Sequence, residues 1–235
     1  MPMLETRSLS KAYSRRHRET VGIRDVDLQV QRGEFVALVG PSGSGKTTLL
    51  LSLGGLIRPS SGTVYLDGVS VYDLSPSRRV ELRRSLLGFL FQTFNLVPYL
   101  TALENVMIPL MIAGKDRGQQ RAVAESILAR LGLGDRLDHK PSELSVGQQQ
   151  RVALARTLAN NPSIILADEP TGNLDPETAQ SVLGMLQDLN QEGMTVVMVT
   201  HDPRMAALAG RVIRLVEGRI VGEREAVAEG QGDLR

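Results

Sequence analysis

The sequence predicts an α/β protein, and two observations carry that expectation. Three short apolar runs, Phe35–Val39, residues 164–167 and Thr195–Val199, are continuous rather than alternating, the pattern of strands buried on both faces of a parallel sheet. Each run gives way to polar residues and then to a helix start. A glycine-rich stretch at 40–48 follows the first, Asp168-Glu169-Pro170 the second, and Thr200-His201-Asp202-Pro203 the third. In Asp202-Pro203 the aspartate can cap a helix whose first position the proline occupies. Asp175-Pro176-Glu177 repeats that pattern ahead of a helix expected to stop near Gly193. Open α/β sheets place their sites at the carboxyl ends of strands, where all of these polar groups fall.

Other segments read differently. Thr63-Val64-Tyr65-Leu66 alternates and meets the turn signal Asp67-Gly68, as in an antiparallel, half-exposed strand. From about Leu100 to Asn160 the pattern is helical, with apolar positions at Val123, Ile127, Leu128 and Leu131. Leu131-Gly132-Leu133-Gly134 closes that helix and another begins near Ser145, so the stretch reads as a helical insert between two sheet-forming halves. The polar, glycine-containing residues from Glu223 onward are expected to fray.

Composition narrows the chemistry. The 235 residues suit one globular unit, with 27 Lys+Arg against 26 Asp+Glu for a net charge of +1. That balance argues against a polyanion-binding surface, and 3% aromatics without tryptophan argue against base-stacking on single strands. No nucleic-acid partner is expected. The absence of cysteine excludes disulfides, thiolate-bound zinc and thiol catalysis. The N-terminus shows no charged-then-apolar signal pattern, and the longest apolar stretch, near 106–113, is interrupted by Pro109 and too short to span a bilayer.

Gly40-Pro41-Ser42-Gly43-Ser44-Gly45-Lys46-Thr47, followed by Thr48, fits the G-x-x-x-x-G-K-[ST] pattern between a strand and a helix. Its glycines let backbone amides approach phosphate oxygens, and the helix start adds partial positive charge. Lys46 is expected to reach the β- and γ-phosphates and the Thr47 hydroxyl to ligate Mg²⁺. A carboxylate ending a buried strand, Asp168, can hold that ion through water. Glu169, the next residue, is placed to polarise water attacking the γ-phosphate. Loop and acidic strand end together point to a nucleotide hydrolase using ATP and Mg²⁺. Farther along, Leu144-Ser145-Val146-Gly147-Gln148 opens a helix. Ser145 and Gln148 have capping-box spacing, yet the amides of Val146 and Gly147 stay free for an anion. A second phosphate-binding helix end suggests service to a partner chain's nucleotide.

These motifs, in this order, resemble the ATPase subunit of an ATP-binding cassette (ABC) transporter over nearly the whole chain, to about residue 222. Residues 40–47 are similar to the Walker A motif, 164–169 to Walker B with the catalytic glutamate, and 144–148 to the signature motif. Gln92 resembles the Q-loop glutamine, with a catalytic and metal-ligating role, Asn173-Leu174-Asp175 the D-loop, and His201 the switch histidine. Tyr13 stands where the family places an aromatic against adenine. The resemblance implies a RecA-like P-loop core (1–92 and 161–222), an N-terminal antiparallel β subdomain, an inserted α-helical subdomain (about 93–160) and a polar tail (223–235). It also implies a head-to-tail homodimer with each ATP between Lys46 of one chain and Ser145 and Gly147 of the other. The family usually has glycine at the position of Val146. A positive φ there would strain valine, whereas a negative-φ helix start accepts it.

Phe91-Gln92-Thr93-Phe94-Asn95-Leu96-Val97-Pro98, Leu100-Thr101-Ala102-Leu103-Glu104-Asn105-Val106 and the run from Leu166 to Asp175 look like the LolD and MacB group. That resemblance implies an integral membrane permease partner of the MacB, LolCE or FtsX type and a cytoplasmic, peripheral location on the inner face of the membrane. Residues 106–112 read as core of the insert or as a groove for a partner helix. The arginines at 15–18, 78–79 and 83–84 read as solvated basic surface. A regulatory role like that of the FtsE branch is the near alternative. A soluble ABC ATPase of DNA repair is the distant one, and it would need coiled-coil arms or zinc-binding cysteines that the sequence lacks.

Overall fold

The computed structural model describes residues 1–15 and 18–225; Arg16 and His17 of the N-terminal basic cluster, and the tail beyond 225, lie outside them. A hairpin of β1 (Leu4–Arg15) and β2 (Arg18–Val30) leads to β3 (Phe35–Val39) and α1 (Lys46–Leu53). Then come β4 (Ser61–Leu66), β5 (Val69–Ser70), α2 (Pro76–Leu86) and β6 (Leu87–Phe91). The helices α3 (Ala102–Ile112), α4 (Arg117–Arg130) and α5 (Val146–Leu158) follow without a strand between them. The chain finishes through β7 (Ile164–Asp168), α6 (Pro176–Gln191), β8 (Thr195–Val199), α7 (Pro203–Ala206), β9 (Arg211–Val216) and β10 (Arg219–Glu225).

The strands form two sheets, one of four in the order β2-β1-β4-β5 and one of six in the order β10-β9-β3-β8-β7-β6. The first is antiparallel; in the second every neighbouring pair is parallel except β9 with β10. Burial on both faces explains the three continuous apolar runs. Side chains alternate across a strand, so Phe35, Ala37, Ile165, Ala167, Val196 and Met198 enter one core, shared with the helices α3 to α6. Val36, Leu38, Ile164, Leu166, Val197 and Val199 enter the other, shared with α1 and the antiparallel sheet. Neither face could be polar without placing an unsatisfied group in an apolar layer.

Helix ends follow the capping signals. Thr101 and Ser145 head reciprocal capping boxes with Glu104 and Gln148, and Asp175 and Asp202 cap α6 and α7 ahead of proline. The fraying expected from Glu223 is not found at residues 223–225, which belong to β10. The guanidinium of Arg211 holds that edge, meeting Glu223 at 2.7 Å and Glu34 at 3.0 Å.

Leu166 is fully buried in the middle of β7. Leu166→Ala should cost about 2–5 kcal/mol in urea denaturation, whereas exposed Val221→Ala should stay within about 0.5 kcal/mol. Equal small losses would mean that the sheet is not the stabilising layer.

Candidate functional site

Parallel pairing of β3, β8 and β7 brings three carboxyl ends to one edge. The loop 40–45 leaves β3 there, Asp168 closes β7, and His201 follows β8 by two residues. Gly45 caps α1 at φ 100, and a Cβ on it would lie 2.0 Å from the carbonyl oxygen of Gly22. Only glycine fits that approach. Of the seven α-helices among the described residues, α1 alone has no side-chain cap. Its first amides are therefore available to an external anion. Lys46 is nearly buried, and its ammonium donates to the carbonyls of Gly40 at 2.8 Å and Pro41 at 3.0 Å.

The Thr47 hydroxyl donates to Asp168 Oδ1 at 3.1 Å, joining residues 121 positions apart. One hydroxyl and one carboxylate beside amides suited to phosphate make a hard, oxygen-only donor set. That set fits Mg²⁺, which keeps waters and substrate oxygens among its ligands. Among the described residues no group of three or more His, Cys, Asp or Glu forms a cage made of protein alone. Burial pushes the Asp168 carboxyl above its ordinary value; Glu169 adds to the shift, while the Thr47 bond and Lys46 oppose it.

Glu169 has left-handed backbone at φ 45, and its amide donates to Val199 O at 3.0 Å. That turn aims its carboxylate at His201, Oε2 lying 3.1 Å from Nδ1. Tyr13, Thr20, Val21, residues 42–48 and Glu169 line one cleft of about 360 Å³. Tyr13 is partly exposed there, its hydroxyl 3.4 Å from that of Thr48.

Gln92 sits beside this cluster but is engaged elsewhere. Its Nε2 donates to Asn173 Oδ1 at 3.3 Å and its carbonyl accepts from Asn173 Nδ2 at 3.2 Å; no hydrogen bond joins it to Thr47 or Asp168. At α5, Ser145 Oγ accepts from the Gln148 amide at 3.2 Å and Gln148 Oε1 from the Ser145 amide at 2.9 Å. The amides of Val146 and Gly147 are left over. Val146 is absent from the residues with positive φ and half exposed, so the valine fits a helix start without strain. Gly147 packs against α6 so closely that a Cβ would lie 2.4 Å from the Thr178 methyl. Asp175 caps that same helix, and its bonds to Thr178 hold its carboxyl below the ordinary value.

Two groups escaped sequence reasoning. Arg156, on the far end of α5, donates to the carbonyls of Phe94 at 2.7 Å and Asn95 at 2.5 Å, fixing the segment after Gln92; burial lowers its pKa. The arginines of α2 are not simply solvated: Arg79 donates to Val71 O and Leu74 O, Arg83 to Gly55 O and Arg84 to Ile112 O. Neither had a signal in sequence, since a backbone carbonyl has no residue type. In the stretch 106–112, Val106 and Leu110 are core, while Met111 and Ile112 are exposed. Ile112, Pro109, Leu56, Val80, Arg83 and Arg84 line an open groove of about 320 Å³ between α2 and α3.

Residues 23–172 match the ABC transporter family. A macrolide export ATP-binding/permease protein MacB of Syntrophobacter fumaroxidans is 49% identical over 234 residues, 97% of this chain and 32% of that protein. The chain thus spans about a third of the length of the MacB relatives it matches. An uncharacterised ABC transporter ATP-binding protein of Methanocaldococcus jannaschii is 46% identical over 219 residues, 93% of this chain and 98% of its own length. A dimeric, post-hydrolysis structure of the ATP-binding cassette MJ0796 bound to ADP and Pi superposes with a TM-score of 0.88. It is 42% identical, covering 95% of this chain and 99% of that one.

The raised carboxyl of Asp168 carries a pH signature. Its folded form keeps a proton that the unfolded chain has lost, so its contribution to stability is present below the ordinary carboxylate pKa of about 4 and is lost as pH rises through the folded pKa. Asp168→Asn, which still accepts from Thr47 but cannot ionise, should melt above the native protein near pH 8. That advantage should shrink as pH falls toward about 4. A lower melting temperature for the variant at pH 8 would mean that the charged carboxylate stabilises the fold.

Proposed function

The chain belongs to the ABC transporter family of ATP-binding proteins, and on that premise we propose that it binds ATP with Mg²⁺, hydrolyses it as a dimer, and thereby drives an integral membrane permease of the MacB, LolCE or FtsX type. The observation that carries the reading is the Thr47–Asp168 contact, which joins the phosphate loop to the acidic strand end with Glu169 one residue on. Amides of the loop and of α1 bind the phosphates, Lys46 exchanges its carbonyl partners for phosphate oxygens, and Tyr13 packs against adenine. Thr47 and Asp168 would hold Mg²⁺, which would supply charge neutralisation to the phosphates.

Glu169 accepts a proton from the attacking water. His201, already in contact with that carboxylate, orients it and meets the γ-phosphate. Gln92 reports on the site through its exchange with Asn173. The freed amides of Val146 and Gly147, with Ser145, close on the nucleotide of a second copy, which makes the assembly a head-to-tail pair with two ATP molecules between the chains. The ATPase is peripheral to the membrane, on its cytoplasmic face; among the described residues no helix is long and apolar enough to cross it. The groove at Ile112 takes a short helix of the permease, so that closure of the pair moves the membrane protein.

Three measurements test this. Glu169→Gln should retain ATP binding, accumulate as an ATP-bound dimer by size exclusion, and lose turnover by about 10²-fold or more; native turnover would remove Glu169 from the role of base. Mixing inactive Lys46→Ala with inactive Ser145→Arg should restore part of the activity, since one hybrid interface keeps both intact halves. No recovery, with specific activity independent of protein concentration, would argue for a monomeric hydrolase. Ile112→Glu should leave the ATPase activity of the isolated protein unchanged and abolish its stimulation by the permease; joint loss of activity and melting temperature would make the groove ordinary core.

A further inference from the structure

Gln150 has no role in the scheme above, yet it occupies an unusual position. It lies on α5, is fully buried, and donates through Nε2 to the carbonyl of Pro170. Its Oε1 has no hydrogen-bond partner. The unmet acceptor is a cost to folding; a leucine of similar size would remove it but leave the buried Pro170 carbonyl without its donor. The two costs offset, so stability alone does not account for the residue.

The bond lands on a strained turn. Pro170 directly follows Glu169, whose left-handed φ of 45 is a conformation that non-glycine residues keep only where their surroundings enforce it. Four contacts enforce it, one within the turn and three from other elements. The Gly172 amide meets Glu169 O within the turn, the Glu169 amide meets Val199 O at the end of β8, Asn173 pairs with Gln92 after β6, and Gln150 reaches Pro170 from α5. Of these elements only α5 also carries the second anion-binding end. Ser145 caps it five residues before Gln150, about 7.5 Å along a rigid helix. A shift of the capped end must move Gln150 with it.

We propose that Gln150 is a positioning residue that ties the orientation of α5 to the backbone at Glu169. Engagement of a partner's nucleotide at Ser145 is thereby transmitted to the water-activating carboxylate over the chain's own ATP. The inference rests on the dimeric ATPase reading, and it adds a physical link between the two sites: each chain senses the opposite nucleotide through α5 and answers at its own.

Gln150→Leu and Gln150→Glu test it in the full-length protein. In the absence of nucleotide, hydrogen exchange of Gln150→Leu should quicken at the amides of Gly172 and Leu174, with α5 and the melting temperature unchanged. With ATP, kcat should fall about 10- to 100-fold at an unchanged KM, and the dependence of rate on ATP concentration should lose its cooperativity. Gln150→Glu can replace the donor only when protonated, so its activity relative to the native protein should rise as pH is lowered from about 8 to 6. Native exchange at 172 and 174, or native kcat with native cooperativity, would overturn the role of Gln150 while leaving the ATPase reading in place. Faster exchange throughout α5 with a lower melting temperature would make the residue a packing element and also overturn it. Absence of ATPase activity in the native protein would overturn both.

Discussion

Burial of the central sheet on both faces is the constraint on which everything else depends. Strands β3, β7 and β8 have no polar face, so they fit only between two apolar layers, and their parallel register brings their carboxyl ends level. Polar residues have to begin where the layers stop. The phosphate loop, Asp168 with Glu169, and His201 therefore meet along one edge, although they are spread from Gly40 to His201 in sequence. A side chain at the edge can be charged because the strand behind it is not.

A second dependence runs through α5. Its amino end is a capped helix start with two spare amides, its middle holds the turn after Glu169 through Gln150, and its carboxyl end holds the segment after Gln92 through Arg156. The helix is packed against α6 at Gly147 and Thr178 without room for a methyl group. One rigid rod thus holds both the turn after β7 and the segment after β6. Gln150 and Arg156 are spent on backbone carbonyls, while Arg151 donates to the Ser181 hydroxyl of α6; the carbonyl contacts fix loop positions independently of the sequence of those loops.

Legibility in the sequence followed the strength of the local physics. The doubly buried strands, the capped helices and the phosphate loop are written in residue types that have few other uses. The hairpin of β1 and β2 was not legible, because Ser8 and Asp25 adopt positive φ and the pairing slips three times, between Thr6 and Leu9, Leu9 and Lys11, and Lys11 and Ala12. Each slip reverses the inward face and erases the alternation. Strand β6 carries the continuous apolar signature of its neighbours and could have been read by the same rule. The end of β10 depends on Arg211 finding Glu34 and Glu223 at once, which no local pattern announces. Contacts from arginine and glutamine to carbonyls are invisible for the same reason.

The left-handed turn at Glu169 has a consequence for how such a chain would age under relaxed selection. The conformation costs a glutamate about 1–3 kcal/mol and costs glycine nothing. Asparagine and aspartate tolerate it better as well. A lineage that stopped needing the carboxylate would gain stability by accepting any of these, so the drift would be downhill and would begin at this one codon. A left-handed glutamate alone is no sign of use, since Glu217 adopts φ 47 in the turn before β10; what sets Glu169 apart is that its carboxylate meets His201.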